Sequence, residues 1–160
     1  MSTDLSFVTK EGKLNIRACA VFLHDGKILA MRDERSPYYY LPGGRIKMGE
    51  TAEEAVLRET YEELGIQAKI ERALWLNQAF FTEDVDGLRY HELCFYFLMD
   101  AADTDLLSRG TAFPGTEKNH RHVFSWLPFE KLKDTYFYPA FLKTEITRLP
   151  EAFTLRTETE

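Results

Sequence analysis

Residues 51 to 65 carry both ends of one helix, and they leave that stretch little else to become. Thr51 and Glu54 match the capping box, in which the hydroxyl and the glutamate three residues on satisfy each other's backbone N–H groups. Gly65 is the residue that closes a helix in the left-handed conformation. Between them the spacing predicts a helix of about three to four turns. Six glutamates lie from Glu50 to Glu63, and Arg58 is the only basic residue among them. Glu59, Glu62 and Glu63 fall at i, i+3 and i+4, so they share one face; Val56, Leu57, Thr60 and Leu64 fall on another that can bury.

That acidic face is costly in isolation. Like charges at these spacings repel by a few tenths of a kcal/mol per pair. Glu62 and Glu63 also sit in the last turn, where the helix dipole favours cations. A solvated face is the ordinary fate of a charge run, but such a face normally interleaves lysines. A bound divalent cation removes both penalties. Carboxylate oxygens suit Mg²⁺, Mn²⁺ or Ca²⁺, and no nearby cysteine or histidine pair favours zinc. Mg²⁺ typically takes few carboxylates and shares its other positions with water and substrate phosphates. The helix therefore points to a metal-dependent site for a phosphorylated substrate.

The surroundings read as one domain over residues 1–150, with 151–160 expected to be a poorly ordered tail. "LNIRACAVFLHDGKILAMRD" predicts two strands joined at Asp25-Gly26. "QAKIERALWLNQAFF" and "HELCFYFLMD" predict a long strand pair turning near Asp86-Gly87. "DAADTDLLSRGTAFPGTEKNHRH" is irregular and long enough to be a functional loop. "VFSWLPF" predicts a strand, "FEKLKD" a short helix and "YPAFLKTEITRL" a closing helix. A helix set among mostly antiparallel strands implies a mixed sheet between helical layers.

Charge narrows the partners. The formal net charge of −6 argues against general nucleic-acid binding, which needs a basic face. It leaves phosphorylated small molecules open, because a metal inverts the local sign. No stretch approaches the ~20 apolar residues of a membrane span, and "MSTDLSFVTKEGK" has no apolar signal core. Cys19 and Cys94 sit in apolar runs and read as reduced core residues of a cytoplasmic protein.

Gly44, five residues, Glu50, seven residues, then Arg58-Glu59-Thr60-Tyr61-Glu62-Glu63-Leu64-Gly65-Ile66 resembles the Nudix box, G-x5-E-x7-R-E-U-x-E-E-x-G-U with U a bulky apolar residue. All seven fixed residues are present, and Thr60 at a U position is the one departure. At about 7% per residue, seven matches arise by chance in roughly one window in a hundred million. The resemblance implies a Nudix-type α/β/α sandwich with a mixed, largely antiparallel sheet. It also implies a hydrolase that uses Mg²⁺ or Mn²⁺ to cleave the diphosphate linkage of a nucleoside diphosphate joined to another group.

Carried over by position, Glu59, Glu62 and Glu63 resemble the metal-facing carboxylates, with a backbone carbonyl of Gly43 or Gly44 as a further ligand. Arg58 resembles the residue that orients a neighbouring glutamate, and Glu50 a supporting group. The carboxylate that takes the proton from water is Glu63 or Glu117, the latter in the long loop. Arg32, at a strand end, resembles an arginine that touches substrate phosphate. Tyr40, beside Tyr38 and Tyr39, and Arg45 are further substrate candidates. His91, His120 and His122 are histidines that could touch substrate, and Glu92 reads as a strand-end residue at the solvent. A sensor that binds nucleotide without turnover stands as the second reading. A homodimer is compatible with both. Substrate identity stays open: "WLNQAFFTEDVDG" lacks the prolines that accompany ADP-sugar cleavage.

Overall fold

The period-2 pattern of the central strand organises the molecule. The computed structural model describes residues 2–160, and its second strand, β2 (Lys13–Val21), follows the short β1 (Ser6–Val8). Side chains alternate faces along a strand. Ala18 and Ala20 of β2 therefore enter one core, and Cys19 and Val21 enter another. A strand buried on both faces belongs in the middle of a layered domain.

The remaining elements follow in order. A hairpin of β3 (Leu23–His24) and β4 (Lys27–Arg32) turns at Asp25-Gly26, as the sequence predicts. Next come β5 (Gly43–Arg45), the helix α1 (Ala52–Leu64), and the long antiparallel pair β6 (Lys69–Thr82) and β7 (Arg89–Asp100). The irregular loop holds a 3₁₀ turn at Leu106–Ser108 and a short strand β8 (Ala112–Pro114). Then follow β9 (Val123–Pro128), a 3₁₀ helix Phe129–Asp134, the helix α2 (Leu142–Glu145) and β10 (Thr154–Thr159).

One sheet runs β1-β2-β7-β6-β10, with β5 on the β1 side of β2; β2/β7 and β6/β10 are parallel and the other pairs antiparallel. The second sheet runs β3-β4-β9-β8, all antiparallel. One core joins Ala18, Leu29 and Met31 to Val56 and Leu64 of α1 and to Phe124. The other joins Val21 and Trp75 to Leu132, Phe137, Phe141 and Leu142. Helical segments thus cover both faces of the larger sheet, the mixed α/β arrangement expected. No helix among the described residues is long and apolar enough to cross a membrane.

Three details differ from the sequence reading. The stretch expected as a loose tail, 151–160, contains β10, whose backbone pairs in parallel with Trp75–Phe80 of β6. Its polar residues hid that role, since an edge strand needs only a ladder on one side. The closing helix expected over 138–149 is a single turn, Leu142–Glu145. Leu57, assigned to the burying face of α1, is 38% exposed. The buried stripe is instead Ala55, Val56, Thr60, Glu63 and Leu64, which brings a glutamate inside.

The α1 ends are as the sequence predicts. The Glu54 N–H donates to Thr51 Oγ1 at 3.0 Å, and Gly65 adopts φ 66° with its N–H on the Tyr61 carbonyl. The N-cap contributes about 1 kcal/mol. Thr51→Ala is therefore expected to lower the thermal midpoint by about 2–4 °C; an unchanged midpoint in calorimetry contradicts the capping account.

Candidate active site

The site grows from the docking of α1 onto β5. β5 pairs with β2 through Gly43↔Cys19 and Gly44↔Ala18. Gly43 holds φ 147°, and a Cβ there would collide with the Ala18 carbonyl oxygen and come within 2.8 Å of the Cys19 Cα. A Cβ on Gly44 would strike the Glu59 carboxylate. Gly44 thus lets a helix glutamate lie directly on strand backbone, while Gly43 lets β5 close onto β2.

Glu63 is the deepest acid, only 4% exposed. Its Oε1 accepts the Gly43 N–H at 2.9 Å. Burial is the main cause that raises its pKa well above the ordinary glutamate range. The negative charges of Glu59 and Glu117 add to this, against the Gly43 hydrogen bond and Arg17. Burial likewise raises Glu59, which Arg58 partly offsets. Arg58 is the organiser: it donates to Glu50 Oε2 and Oε1 at 2.7 and 3.0 Å, to Glu59 Oε1 at 2.9 Å and to the Arg45 carbonyl at 3.1 Å. The guanidinium's hydrogen bond is the main cause holding Glu50 below its usual pKa. Arg58 therefore ties α1 to the loop before it and fixes where Glu59 points.

The loop after β8 supplies the other wall. Carboxylate oxygens of Glu63 and Glu117 and a ring nitrogen of His122 lie within 4.8 Å of one another. His122 Nδ1 is buried without a hydrogen-bond partner and sits 3.6 Å from Glu117, while its Nε2 is 3.7 Å from Asp33. Burial lowers the His122 pKa, against the pull of Glu117 and Asp33, and so keeps the ring neutral. Gly115 makes this approach possible, since a Cβ there would press within 3.0 Å of the Glu63 carbonyl. Asp33 accepts from the Arg35 N–H at 2.7 Å and from Tyr40 Oη at 2.9 Å. Burial raises its pKa, but these bonds outweigh burial and the net shift is downward.

These groups line a cleft of ≈ 810 Å³, within the size range of small-molecule sites. A second cavity of ≈ 200 Å³, beside Leu23 and Met99, holds none of them. A stretch of 132 residues, 13–144, matches the family model described as NUDIX domain. The chain belongs to the Nudix family.

Its Nudix box is the stretch that builds the cleft's acidic wall. An ADP-ribose pyrophosphatase of Methanocaldococcus jannaschii is 35% identical over 85 residues, 51% of this chain and 48% of that protein. A putative 8-oxo-dGTP diphosphatase of Bacillus subtilis is 40% identical over 52 residues, 32% of this chain and 35% of that protein. The matched stretches thus span under half the length of these relatives. Among solved structures, an ADP-ribose pyrophosphatase from Streptococcus suis superposes with a TM-score of 0.56 at 15% identity, over 89% of this chain and 98% of that one. A NUDIX-family hydrolase from Clostridium perfringens gives 0.56 at 18% identity, over 82% and 94%. At these identities the likeness is one of fold.

The structure brings most, not all, of the sequence candidates together. Gly43, Gly44, Glu59, Glu63, Glu117, Tyr40 and Arg45 all line the cleft. Glu62 does not share their face: its side chain is 45% exposed and touches Arg58 at 3.4 Å. Arg32 lies outside the lining, with its guanidinium 5.0 Å over the Tyr39 ring. His91 packs on Phe80, and His120 and His122 reach the cleft. Glu92, read as a solvent-facing strand end, is 9% exposed in the cleft floor, because β7 begins three residues earlier.

Sequence reasoning missed Arg17 and Asp33. Arg17 projects from β2 into the floor, and its charge bears on Glu59, Glu63 and Glu92. No local motif marks it; only the pairing of β2 with β5 sets it beside the glycines.

The donor set fits a hard divalent ion. Buried Glu63 has one backbone donor, half-buried Glu59 meets one Arg58 nitrogen, and a buried imidazole nitrogen lacks a partner. Without metal, ionised Glu63 opposes folding. A buried acid with a raised pKa is least unfavourable when protonated, so wild-type stability rises as pH falls through that pKa. Glu63→Gln in chelator is therefore expected to unfold at a higher temperature than wild type at pH 8, with the gain vanishing near pH 4. An equal or lower midpoint at pH 8 contradicts the burial account.

Proposed function

We propose that the chain is a Mg²⁺- or Mn²⁺-dependent hydrolase that cleaves the diphosphate linkage of a nucleoside diphosphate joined to another group. The observation that carries this reading is the pair of carboxylates, half-buried Glu59 and buried Glu63, held against Gly44 and Gly43 in a cleft large enough for such a substrate. The names of the relatives support it: two are a pyrophosphatase and a putative diphosphatase.

Glu59, Glu63 and a backbone carbonyl of Gly43 or Gly44 would hold the metal, with Glu62 joining by rotation of its exposed side chain. When bound, the ion neutralises phosphate oxygens and lowers the pKa of water. The chain's own residues do the rest. Arg58 fixes Glu59 and Glu50 so that the acidic wall is set before substrate arrives, which is where positioning catalysis originates. Arg17 and Arg45 face the same cleft and offer guanidinium donors to phosphate oxygens.

Glu117 is the better placed proton acceptor. One Glu63 oxygen is committed to the Gly43 N–H, whereas Glu117 makes no hydrogen bond among the described residues and stands beside His122. A proton taken by Glu117 lies 3.6 Å from the His122 ring, which can share it.

The sensor reading keeps the same cleft and omits turnover. Formation of nucleoside monophosphate and sugar phosphate from a panel of nucleoside diphosphate sugars, with Mg²⁺ and then Mn²⁺, separates the two. The proposal expects metal-dependent turnover, and Glu117→Gln is expected to lower kcat by about 10²–10⁴-fold with little change in KM. Binding with no cleavage of any substrate contradicts the hydrolase. Full activity in Glu117→Gln contradicts the assignment of the base.

A further inference from the structure

The two sheets end on strands of unequal length. At the edges, β1, β5 and β8 have three residues each and β3 has two, and β8 carries Pro114. Short edges and proline keep a sheet from pairing with another chain. Among the described residues β10 is the exception. Its six residues, Thr154–Thr159, pair with Trp75–Phe80 of β6 without a register shift, and no strand lies on its other side. It contains neither proline nor lysine. A row of backbone donors and acceptors therefore points away from β6 with no strand to meet it.

The side chains of β10 say which strand would meet it. Thr154, Leu155, Thr157 and Thr159 are exposed, while Arg156 and Glu158 are half-buried on the face opposite Leu155 and Thr157. An antiparallel copy of the same strand, related by a two-fold axis through the sheet at Thr157, sets Arg156 opposite Glu158 of the copy and Glu158 opposite its Arg156. The same register sets Thr157 against Thr157 and Leu155 against Thr159. Opposite charges and paired threonines across strands are both favourable. Moving the axis one residue either way brings Arg156 onto Arg156 or Glu158 onto Glu158, and like charges directly opposite are unfavourable. The charge pattern thus selects one register, and the partner it fits is itself.

Both charged side chains are held in place within the protomer. Arg156 pairs with Glu145 and lies 3.9 Å over the Phe141 ring. Glu158 accepts from Asn77 Nδ2 at 3.2 Å and from the Phe141 N–H at 3.0 Å. The edge is therefore ordered before a second copy arrives, which lowers the cost of pairing.

We propose that the chain forms a homodimer through β10, the two strands pairing antiparallel about a two-fold axis at Thr157, so that the larger sheets of two copies join into one. Such an isologous contact closes on itself and uses up the long edge. β10 lies beyond the family-matched residues 13–144, so the interface belongs to this chain's closing strand rather than to the matched domain. Glu158 also lines the cleft. In the dimer, Arg156 of the second copy adjoins Glu158 at that end of the cleft. A ladder of this length is small beside a standard interface, so the dimer dissociates on dilution.

Thr157 supplies the test, because the axis sets it against itself. Its side chain is exposed and accepts one hydrogen bond, from Gln78 at 3.1 Å, so a charged substitution leaves the core alone. Sedimentation velocity over a concentration series is expected to show a species of twice the 18.6 kDa chain mass whose share grows with concentration. Thr157→Lys and Thr157→Glu each put like charges face to face, and each alone is expected to dimerise at least about fivefold more weakly. An equal mixture of the two variants is expected to dimerise about as tightly as wild type, since the introduced charges then have opposite sign. Circular dichroism checks that both variants fold. A wild type that stays monomeric across the series overturns the proposal. So do dimers undiminished in both folded variants, or a mixture as weak as its components.

Discussion

The contact on which the rest depends is the one between Glu63 and the Gly43 N–H. It places an acid on the buried stripe of a helix, among Val56, Thr60 and Leu64, where an apolar residue would stabilise the fold more. A single backbone donor does not offset the desolvation of a carboxylate. Gly44 leaves room for the Glu59 carboxylate, and Gly43 for the close backbone of β2 at Ala18 and Cys19. The molecule thus gives up stability at one seam to gather negative charge where a cation and a phosphate can meet.

Arg58 turns that seam into a fixed geometry. Its guanidinium spans Glu50, Glu59 and the Arg45 carbonyl, so the loop, the helix and the strand move as one body. Glu50 and Glu59 are then positioned by the same charge. The variable part lies opposite, where the loop carrying Glu117 and His122 and the hairpin carrying Glu83 and Asp84 face the fixed wall across the cleft. The acids tied by Arg58 thus lie on regular elements and the groups facing them lie on loops, a division common to sites grafted on widely used folds.

The helix was legible because its signals are local: Thr51 bonds Glu54 in the first turn, and Gly65 bonds Tyr61 in the last. The strands were legible from alternation. What the sequence did not reveal is what strand register decides. Arg17 and Asn77 reach the cleft from β2 and β6, and Asp33 from just past the end of β4, an arrangement that no local pattern states. Glu59, Glu62 and Glu63 looked equivalent by spacing, yet packing against β5 turned Glu63 in and left Glu62 out. Arg32 looked like a site residue from its position before the box, but strand alternation sends it outward onto Tyr39. The closing strand was hidden by its polarity, since its partners lie some eighty residues earlier in β6.

Direct metal titration tests the central claim, that the buried carboxylates of the Nudix box form a divalent-cation site. Mn²⁺ binding is measured by calorimetry or by loss of the free-ion spin-resonance signal, for wild type, Glu63→Gln and, as a control on the same helix, Glu53→Gln. The account predicts that wild type and Glu53→Gln bind alike and that Glu63→Gln binds at least about tenfold more weakly. Equal Mn²⁺ affinity in all three proteins would contradict it.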